Sequence, residues 1–204
     1  MTKRPVGFIL NTVHIEVIAV NTIVTSRDEI LKTSRQLLQK EGWAAVNIRS
    51  VASACGVSVG SIYNYFGSKA ELSGAVVESV WYEIFHLTDR QQAFSDTLSC
   101  VRWMFQRVET GCQRYPGFFS LHSLQFLQEE KRDGKQRMEK TWQHIREQLV
   151  LVLKQDPCIR ENAFTPEFTP ERFAGVLFSL LLSAMLRQDY DPSPVLEIVN
   201  RVLY

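Results

Sequence analysis

The side chains with the clearest capacity for recognition chemistry lie between residues 59 and 66. On a helix at about 100° per residue, small, polar and aromatic side chains fall on one arc and two apolar ones on the opposite side. An amide side chain can bond base edges, tyrosine hydroxyls can reach phosphates, and a glycine lets a backbone approach closely. This arc therefore suits a helix inserted in the major groove of DNA. Its members are Gly60, Ser61, Asn64 and Tyr65, and the opposite side carries Ile62 and Phe66.

Lys69 lies just beyond this stretch, in the first turn of the helix that follows. Ser68 and Glu71 form a capping box that begins this helix, since both side chains are spaced to bond free backbone N–H groups. The Lys69 ammonium and the free N–H groups of the first turn could hold one phosphate together. The spacing therefore predicts a further contact with a nucleic-acid backbone.

The sequence predicts that these residues are positioned by short helices joined by tight turns. A capping box at Ser26 begins a helix whose apolar residues recur at helical spacing until Gly42. Asn47 is a good N-cap for a second helix, and Ser58 for a third that we expect to run to Phe66. Two helices joined by a short turn containing glycine are the helix-turn-helix signature.

The whole-chain composition describes an ordinary globular protein. Its 204 residues are 45% hydrophobic and 22% charged, which excludes a disordered tail, a collagen-like fibre and a disulfide-stapled miniprotein. The net charge of +1 conceals a dipolar distribution: residues 1–72 carry 8 Lys and Arg against 5 Asp and Glu, and the remainder is slightly acidic. The basic excess thus lies with the residues predicted to meet DNA.

Residues 1–25 are apolar apart from a few polar interruptions, and two interpretations of them stay open. They could form an N-terminal arm, or translation could begin further on, near Val24. A membrane span needs about 18 uninterrupted apolar residues, which this stretch lacks. The four cysteines show neither zinc-ligand nor disulfide-framework spacing. We therefore expect a cytoplasmic protein with no membrane segment, no metal and no cofactor.

The longer C-terminal part, residues 73–204, also reads as helical. Glycine and proline clusters at Tyr115-Pro116-Gly117 and Asp133-Gly134 are predicted to end two of its helices. The predicted fold class is all-α, with a three-helix helix-turn-helix DNA-binding domain followed by a larger helical domain. The predicted helices of the larger domain continue to about His86 and then span 91–114, 118–132, 136–154, 170–188 and 194–204.

The run from Asn47 to Leu72 resembles the DNA-binding domain of the tetracycline-repressor (TetR) family of bacterial transcriptional regulators. The resemblance covers residues 27–72, and its core is G-V-S-x-G-S-I-Y-x-Y-F-x-S-K-x-E-L. It implies that Tyr63 and Tyr65 contact phosphates. It also implies that Asn64 reads a base or a phosphate. The full DNA-binding set implied in this way is Asn47, Arg49, Ser58, Val59, Gly60, Ser61, Tyr63, Asn64, Tyr65 and Lys69.

Two positions depart from the family pattern. Cys55 stands where relatives usually have alanine, and the segment before Arg27 is apolar where relatives often have basic residues. The second departure removes the basis for contacts between that arm and the minor groove. The resemblance further implies that residues 26–72 bind DNA and that residues 73–204 bind an effector and form a homodimer.

Large aromatic residues are abundant in the C-terminal part, and they allow two interpretations. A packed helical core needs such rings. A cavity for a lipophilic or aromatic effector would use the same residues, with a few polar groups to orient the ligand. The candidate lining residues for such a cavity are Trp81, Phe85, Trp103, Phe119, His122, Phe126 and Trp142.

Together these patterns predict a repressor that binds an inverted-repeat operator in double-stranded DNA as a homodimer. A small-molecule effector, lipophilic or aromatic, is expected to release it. The alternative is a redox-sensing regulator that uses the thiol of Cys55. An enzyme is not expected, because the sequence holds no metalloprotease, P-loop, nucleophile-elbow or dinucleotide-binding motif.

Overall fold

The computed structural model describes residues 25–85, 94–118 and 131–204, and in the last range it describes side chains from residue 139 onward. Every regular element in these ranges is helical, which confirms the predicted all-α class. A short 3-10 turn, Trp43–Ala45, follows the first α-helix. The α-helices are α1 (Arg27–Glu41), α2 (Ile48–Cys55), α3 (Val59–Tyr63), α4 (Lys69–Phe85), α5 (Thr97–Arg114), α6 (Lys131–Gln155), α7 (Pro170–Arg187) and α8 (Ser193–Leu203).

Side-chain caps begin the first three helices, as the sequence predicts. The Ser26 hydroxyl accepts a hydrogen bond from the Glu29 N–H at 3.1 Å. Asn47 Oδ1 accepts from the Ser50 N–H at 3.0 Å, and the Ser58 hydroxyl accepts from the Ser61 N–H at 3.1 Å. Each cap satisfies a donor that has no partner within its own helix, and so fixes where the helix starts.

The third helix is shorter than predicted. It ends at Tyr63, and the N–H groups of Tyr65 and Phe66 both donate to the Ile62 carbonyl in a turn. This turn places the Phe66 side chain fully inside the core beside Ile62. Burial of the phenyl ring therefore decides the end of the helix, which the periodicity alone had extended to Phe66.

Two helix boundaries in the C-terminal part also differ from the prediction. The helix expected from residue 91 begins at Thr97, because Asp96 caps it by accepting from the Ser99 N–H at 2.7 Å. The break predicted at Asp133-Gly134 was wrong, since α6 runs through these residues. One glycine costs a helix only about 1 kcal/mol, which did not end this one. Most of the helix predicted at 118–132 lies outside the described residues.

Helix α4 lies at the centre of the molecule, packed against α1, α5 and α6. Its side chains Val76, Val80 and Trp81 are almost fully buried, in the same apolar cluster that holds Ile62 and Phe66. The helix-turn-helix segment and the C-terminal helices therefore share one continuous core. A displacement of α4 would therefore shift residues in both the helix-turn-helix segment and the C-terminal helices, because packed interiors leave little free space.

The carboxylate of Glu83, near the end of α4, joins three helices. One oxygen lies 2.7 Å from Arg35 Nε on α1, and the other lies 2.6 Å from Arg114 Nη1 on α5. Arg107 of α5 adds hydrogen bonds to the carbonyls of Ile84 at 2.6 Å and of Glu83 at 3.1 Å. These last bonds satisfy carbonyls that the end of a helix leaves without partners.

A second polar cluster, centred on the Asp156 carboxylate, holds Tyr204 in place. Asp156, just after α6, accepts hydrogen bonds from the N–H and the hydroxyl of Thr97 at 2.7 and 2.8 Å. The Tyr204 hydroxyl donates to the same carboxylate oxygen at 2.5 Å. The start of α5, the end of α6 and the C-terminal residue are therefore held at one point.

Candidate nucleic-acid interface and cavity

Helices α2 and α3 form a helix-turn-helix whose turn depends on Gly56. This residue ends α2 in the left-handed conformation (φ +67°), and its N–H and that of Val57 donate to the last carbonyls of α2. The inner side of α3 is anchored by Ile62, which is fully buried. Its outer side carries Val59 and Tyr63, with 40% and 48% of their surfaces exposed. The helix is therefore fixed on one side and accessible on the other.

The outward surface of this motif carries uncommitted polar groups. Arg49, Tyr63, Asn64 and Lys69 are all exposed, and none of their side chains forms a hydrogen bond or ion pair with another residue in the described ranges. At Gly60 an added Cβ would meet only the Ser58 hydroxyl at 3.6 Å, an ordinary contact. Nothing within the protein therefore requires glycine there, and its small size leaves room for a partner outside.

The start of α4 is capped much as the sequence predicts. The Ser68 hydroxyl accepts from the Glu71 N–H at 3.1 Å, and the Glu71 carboxylate accepts from the Gly67 N–H at 2.9 Å. Lys69 occupies the first turn with its side chain exposed. The lysine thus lies at the positive end of a helix, where a phosphate would find both an ammonium and the helix dipole.

Four residues of the implied DNA-binding set have side-chain hydrogen bonds within the protein: Asn47, Ser58, Ser61 and Tyr65. The Tyr65 hydroxyl donates to the Thr25 carbonyl at 2.5 Å, and the backbone carbonyl of Tyr65 accepts a hydrogen bond from the Arg27 guanidinium at 3.2 Å. Its single O–H is thus occupied, so Tyr65 has no proton left to donate to a phosphate, unlike Tyr63. The Asn47 amide is likewise occupied in capping α2. The hydrogen bond from Tyr65 to Thr25 could not be predicted from the sequence, because the two residues are far apart along the chain.

A cavity of about 730 Å³ lies between α4, α5 and α6. Four rings form one of its walls: Trp81 and Phe85 stack with centroids 5.7 Å apart, and Trp103 lies 6.3 Å from Phe85 and 5.4 Å from Phe94. The volume is within the range of small-molecule sites.

Only some of the predicted lining residues line the cavity in the structure. Trp81, Phe85 and Trp103 line the cavity. Trp142 instead packs behind Trp81, with centroids 6.0 Å apart. Phe119, His122 and Phe126 lie outside the described residues. The sequence analysis did not predict the polar lining residues. Several of them recur at intervals of about four residues along α6, a spacing that places them on one side of the helix. The missed polar residues are Glu78, Tyr82, Asp96, Lys140, Thr141, His144, Gln148, Gln155 and Asp156.

All four cysteines are free thiols, and burial disfavours the reactive thiolate form of three of them. Burial raises the pKa of the Cys55 thiol, with a hydrogen bond to Thr33 opposing it and Glu29 adding to it. Burial also raises the pKa of Cys100 to about 12, and it raises that of Cys112. A raised pKa lowers the thiolate population and therefore the reactivity. Only Cys158 is exposed among these four thiols, none of which is in a disulfide.

The described residues show neither a metal-binding cluster nor a membrane-spanning helix. Among the described side chains, those of residues 25–85, 94–118 and 139–204, no cluster of three or more His, Cys, Asp or Glu could hold a metal ion. None of the helices in those same ranges combines the length and the apolar character that a membrane crossing needs.

Comparisons with known proteins agree with this geometry. Residues 30–76 match the family model for bacterial regulatory proteins of the tetR family. The nucleoid occlusion factor SlmA of Vibrio campbellii is 29% identical over 178 residues, which are 82% of this chain and 87% of the relative. SlmA of Vibrio cholerae is 28% identical over 143 residues, covering 66% of this chain and 70% of its own.

Solved structures show the same fold. A putative transcriptional regulator from Pseudomonas aeruginosa PAO1 has a TM-score of 0.62 at 17% identity, with 90% of this chain and 92% of that one covered. Reduced NemR from E. coli has a TM-score of 0.60 at 19% identity, with 87% and 97% covered. The fold and the helix-turn-helix thus define a class of DNA-binding transcriptional regulators. Within that class, the helix-turn-helix segment, residues 30–76, is that of the tetR family of bacterial regulatory proteins.

The raised pKa of Cys55 predicts slow alkylation. In the native protein at neutral pH, we expect N-ethylmaleimide to label exposed Cys158 at least about tenfold faster than Cys55, because less Cys55 is thiolate and less of it is accessible. Peptide mass spectrometry over a time course measures both rates, and labelling in denaturant gives the unprotected reference. Equal rates in the native protein would favour the redox-sensing alternative.

Proposed function

We propose that the protein is a dimeric repressor that binds an inverted-repeat operator and leaves it when a small molecule fills the cavity. The observation that carries this proposal is the path of α4. The helix begins at exposed Lys69, six residues after the end of α3, and its second half supplies Trp81 and Phe85 to the cavity wall. One rigid element thus belongs to both candidate sites.

The effector would act by changing the position of α4. A ligand that binds the non-operator arrangement more tightly shifts the equilibrium toward it, and a coupling of about 1–3 kcal/mol changes operator affinity roughly 5- to 150-fold. Glu83 provides the mechanical connection, because it joins α4 to Arg35 on α1 and to Arg114 on α5. A shift of α4 relative to α5 would therefore pull on the helix that supports the DNA-binding motif.

Dimerisation would pair the outer sides of α7 and α8. Val176 and Leu186 on α7 and Ile198 on α8 have 48%, 49% and 43% of their surfaces exposed. Exposed large apolar side chains on a helix are typical of contact surfaces when they form one patch, which these two helices would do in a dimer. Two-fold symmetry of the dimer would present two recognition helices to two half-sites, which explains why an inverted repeat is proposed.

Operator affinity tests the proposed DNA-binding surface. Fragments selected from sheared genomic DNA supply the operator, and fluorescence anisotropy measures its affinity at several salt concentrations. Tyr63→Phe and Asn64→Ala should each weaken binding by about 1–3 kcal/mol. Lys69→Ala should weaken binding to all sequences and reduce the slope of log K against log salt by about 1 for each subunit.

Lys40→Ala is the matched control for these variants. Lys40 is an exposed lysine at the end of α1, whereas the opposite end of α1 is the one that contacts Tyr65. Its replacement should leave both affinity and salt slope unchanged. Unchanged operator affinity in Tyr63→Phe, Asn64→Ala and Lys69→Ala alike would contradict the proposed surface, as would a failure to select any inverted repeat.

The oligomeric state tests the proposed dimer surface. Val176→Asp should convert the dimer to a monomer in sedimentation velocity, because it places a charge in an apolar contact. Leu151→Asp on α6 is the control, since Leu151 has the same 48% exposure but lies off α7 and α8. A Val176→Asp protein that sediments as a dimer would rule out this surface.

A second candidate function follows from the curated relatives. SlmA proteins that resemble this chain across most of its length are nucleoid occlusion factors. Mapping the bound sites in the cell separates the two functions. Sites confined to a few promoters favour the repressor, whereas many sites spread over the chromosome, together with altered positioning of division over the nucleoid when the protein is absent, favour nucleoid occlusion.

A further inference from the structure

Among the residues that the structure describes, acidic side chains outnumber basic ones in the lining of the cavity. They are the three carboxylates of Glu78, Asp96 and Asp156, against one ammonium from Lys140 and the imidazole of His144. The three carboxylates are only partly exposed, whereas Lys140 and His144 are exposed on α6. Water screens exposed charges more strongly than partly buried ones, so the acidic groups contribute more to the field inside the cavity.

Two of these carboxylates are held in the ionised form by the protein itself. Hydrogen bonds from the Ser99 N–H and from the Ser95 and Ser99 hydroxyls lower the pKa of Asp96. Burial acts to raise the pKa of Asp156, but hydrogen bonds from Tyr204, Thr97 and Cys158 outweigh it and leave the pKa below its usual value. These bonds position the carboxylates without removing their negative charge.

Glu78 differs from them because its carboxylate is uncommitted. It lies on α4 one turn before Trp81, is half-buried, and forms no hydrogen bond or ion pair with a residue that the structure describes. A partly buried carboxylate without a partner is unfavourable, and a cation that entered the cavity would be its partner. Trp81 and Trp103 line the same cavity, and aromatic rings attract cations through their electron-rich faces.

We propose that the cavity binds a lipophilic aromatic cation, with Glu78 facing its positive charge and the Trp81, Phe85 and Trp103 rings holding its apolar body. This proposal rests on the proposed effector function and names the chemical class of the effector. The cavity volume of about 730 Å³ accommodates a ligand of several rings.

Two ions of the same size and opposite charge test the proposal. Tetraphenylphosphonium and tetraphenylborate each carry four phenyl rings, and isothermal titration calorimetry gives their affinities for the full-length protein. We expect the phosphonium to bind at least about tenfold more tightly than the borate, because only their charge differs in sign. Stronger binding of the borate, or no binding of either ion, would overturn the proposal.

Replacement of Glu78 locates the charge that selects the cation. Glu78→Gln should weaken phosphonium binding about fivefold or more and strengthen borate binding, whereas Glu78→Asp should retain most of the phosphonium affinity. Glu161→Gln, an exposed carboxylate that is not part of the cavity lining, should change neither affinity. Thermal unfolding of each variant checks that it is folded. Unchanged phosphonium affinity in a folded Glu78→Gln protein would contradict the assignment of Glu78.

Operator binding by the same preparations distinguishes this proposal from the proposed function. If the phosphonium ion fails to bind while the operator binds normally, the ligand class is wrong and the DNA-binding function stands. If the phosphonium binds through Glu78 but no operator is recognised, the cavity assignment stands and the repressor function is wrong.

Discussion

The paired ion contacts of Glu83 are the interaction on which the rest of the structure depends. Each oxygen of one carboxylate receives a guanidinium from a different helix, Arg35 from α1 and Arg114 from α5. Arg35 and Glu83 are each about one quarter exposed, whereas Arg114 is 57% exposed. The pair with Arg35 is therefore screened less than an exposed ion pair, and together the two contacts connect the first helix of the DNA-binding domain to the helices around the cavity.

Close packing makes this connection stiff. Gly111 of α5 lies against Ile84, the residue after Glu83, and a Cβ at position 111 would come within 2.5 Å of the Ile84 Cδ1 atom. Arg107 holds the end of α4 from the same side. Helices α4 and α5 therefore meet without space between them at this crossing, and the cavity lies beside it, lined by residues 78–85 of α4 and 100–104 of α5. A ligand that widens the cavity would rotate α4 about the Glu83 contact.

Local signals in the sequence were sufficient for the all-α class and for the helix starts at Ser26, Asn47 and Ser58, because a cap involves residues only two or three positions apart. Contacts between distant residues could not be predicted in this way. The Glu83 pairs, the bond from Tyr65 to Thr25 and the Asp156 cluster all join separate parts of the chain. The aromatic residues were compatible with either a packed core or a cavity, and the position of the Glu78 carboxylate in the cavity depends on how α4, α5 and α6 pack together.

The central claim is that α4 couples the cavity to the operator through Glu83. Its most direct test is the affinity of the protein for tetraphenylphosphonium with and without saturating operator DNA, in the natural protein and in Glu83→Gln, with Glu139→Gln as a variant that breaks a surface ion pair on α6. The account predicts that operator weakens cation binding roughly 5- to 150-fold in the natural protein and in Glu139→Gln, and by a much smaller factor in Glu83→Gln. An identical factor in all three proteins, or no effect of operator in any, would contradict it.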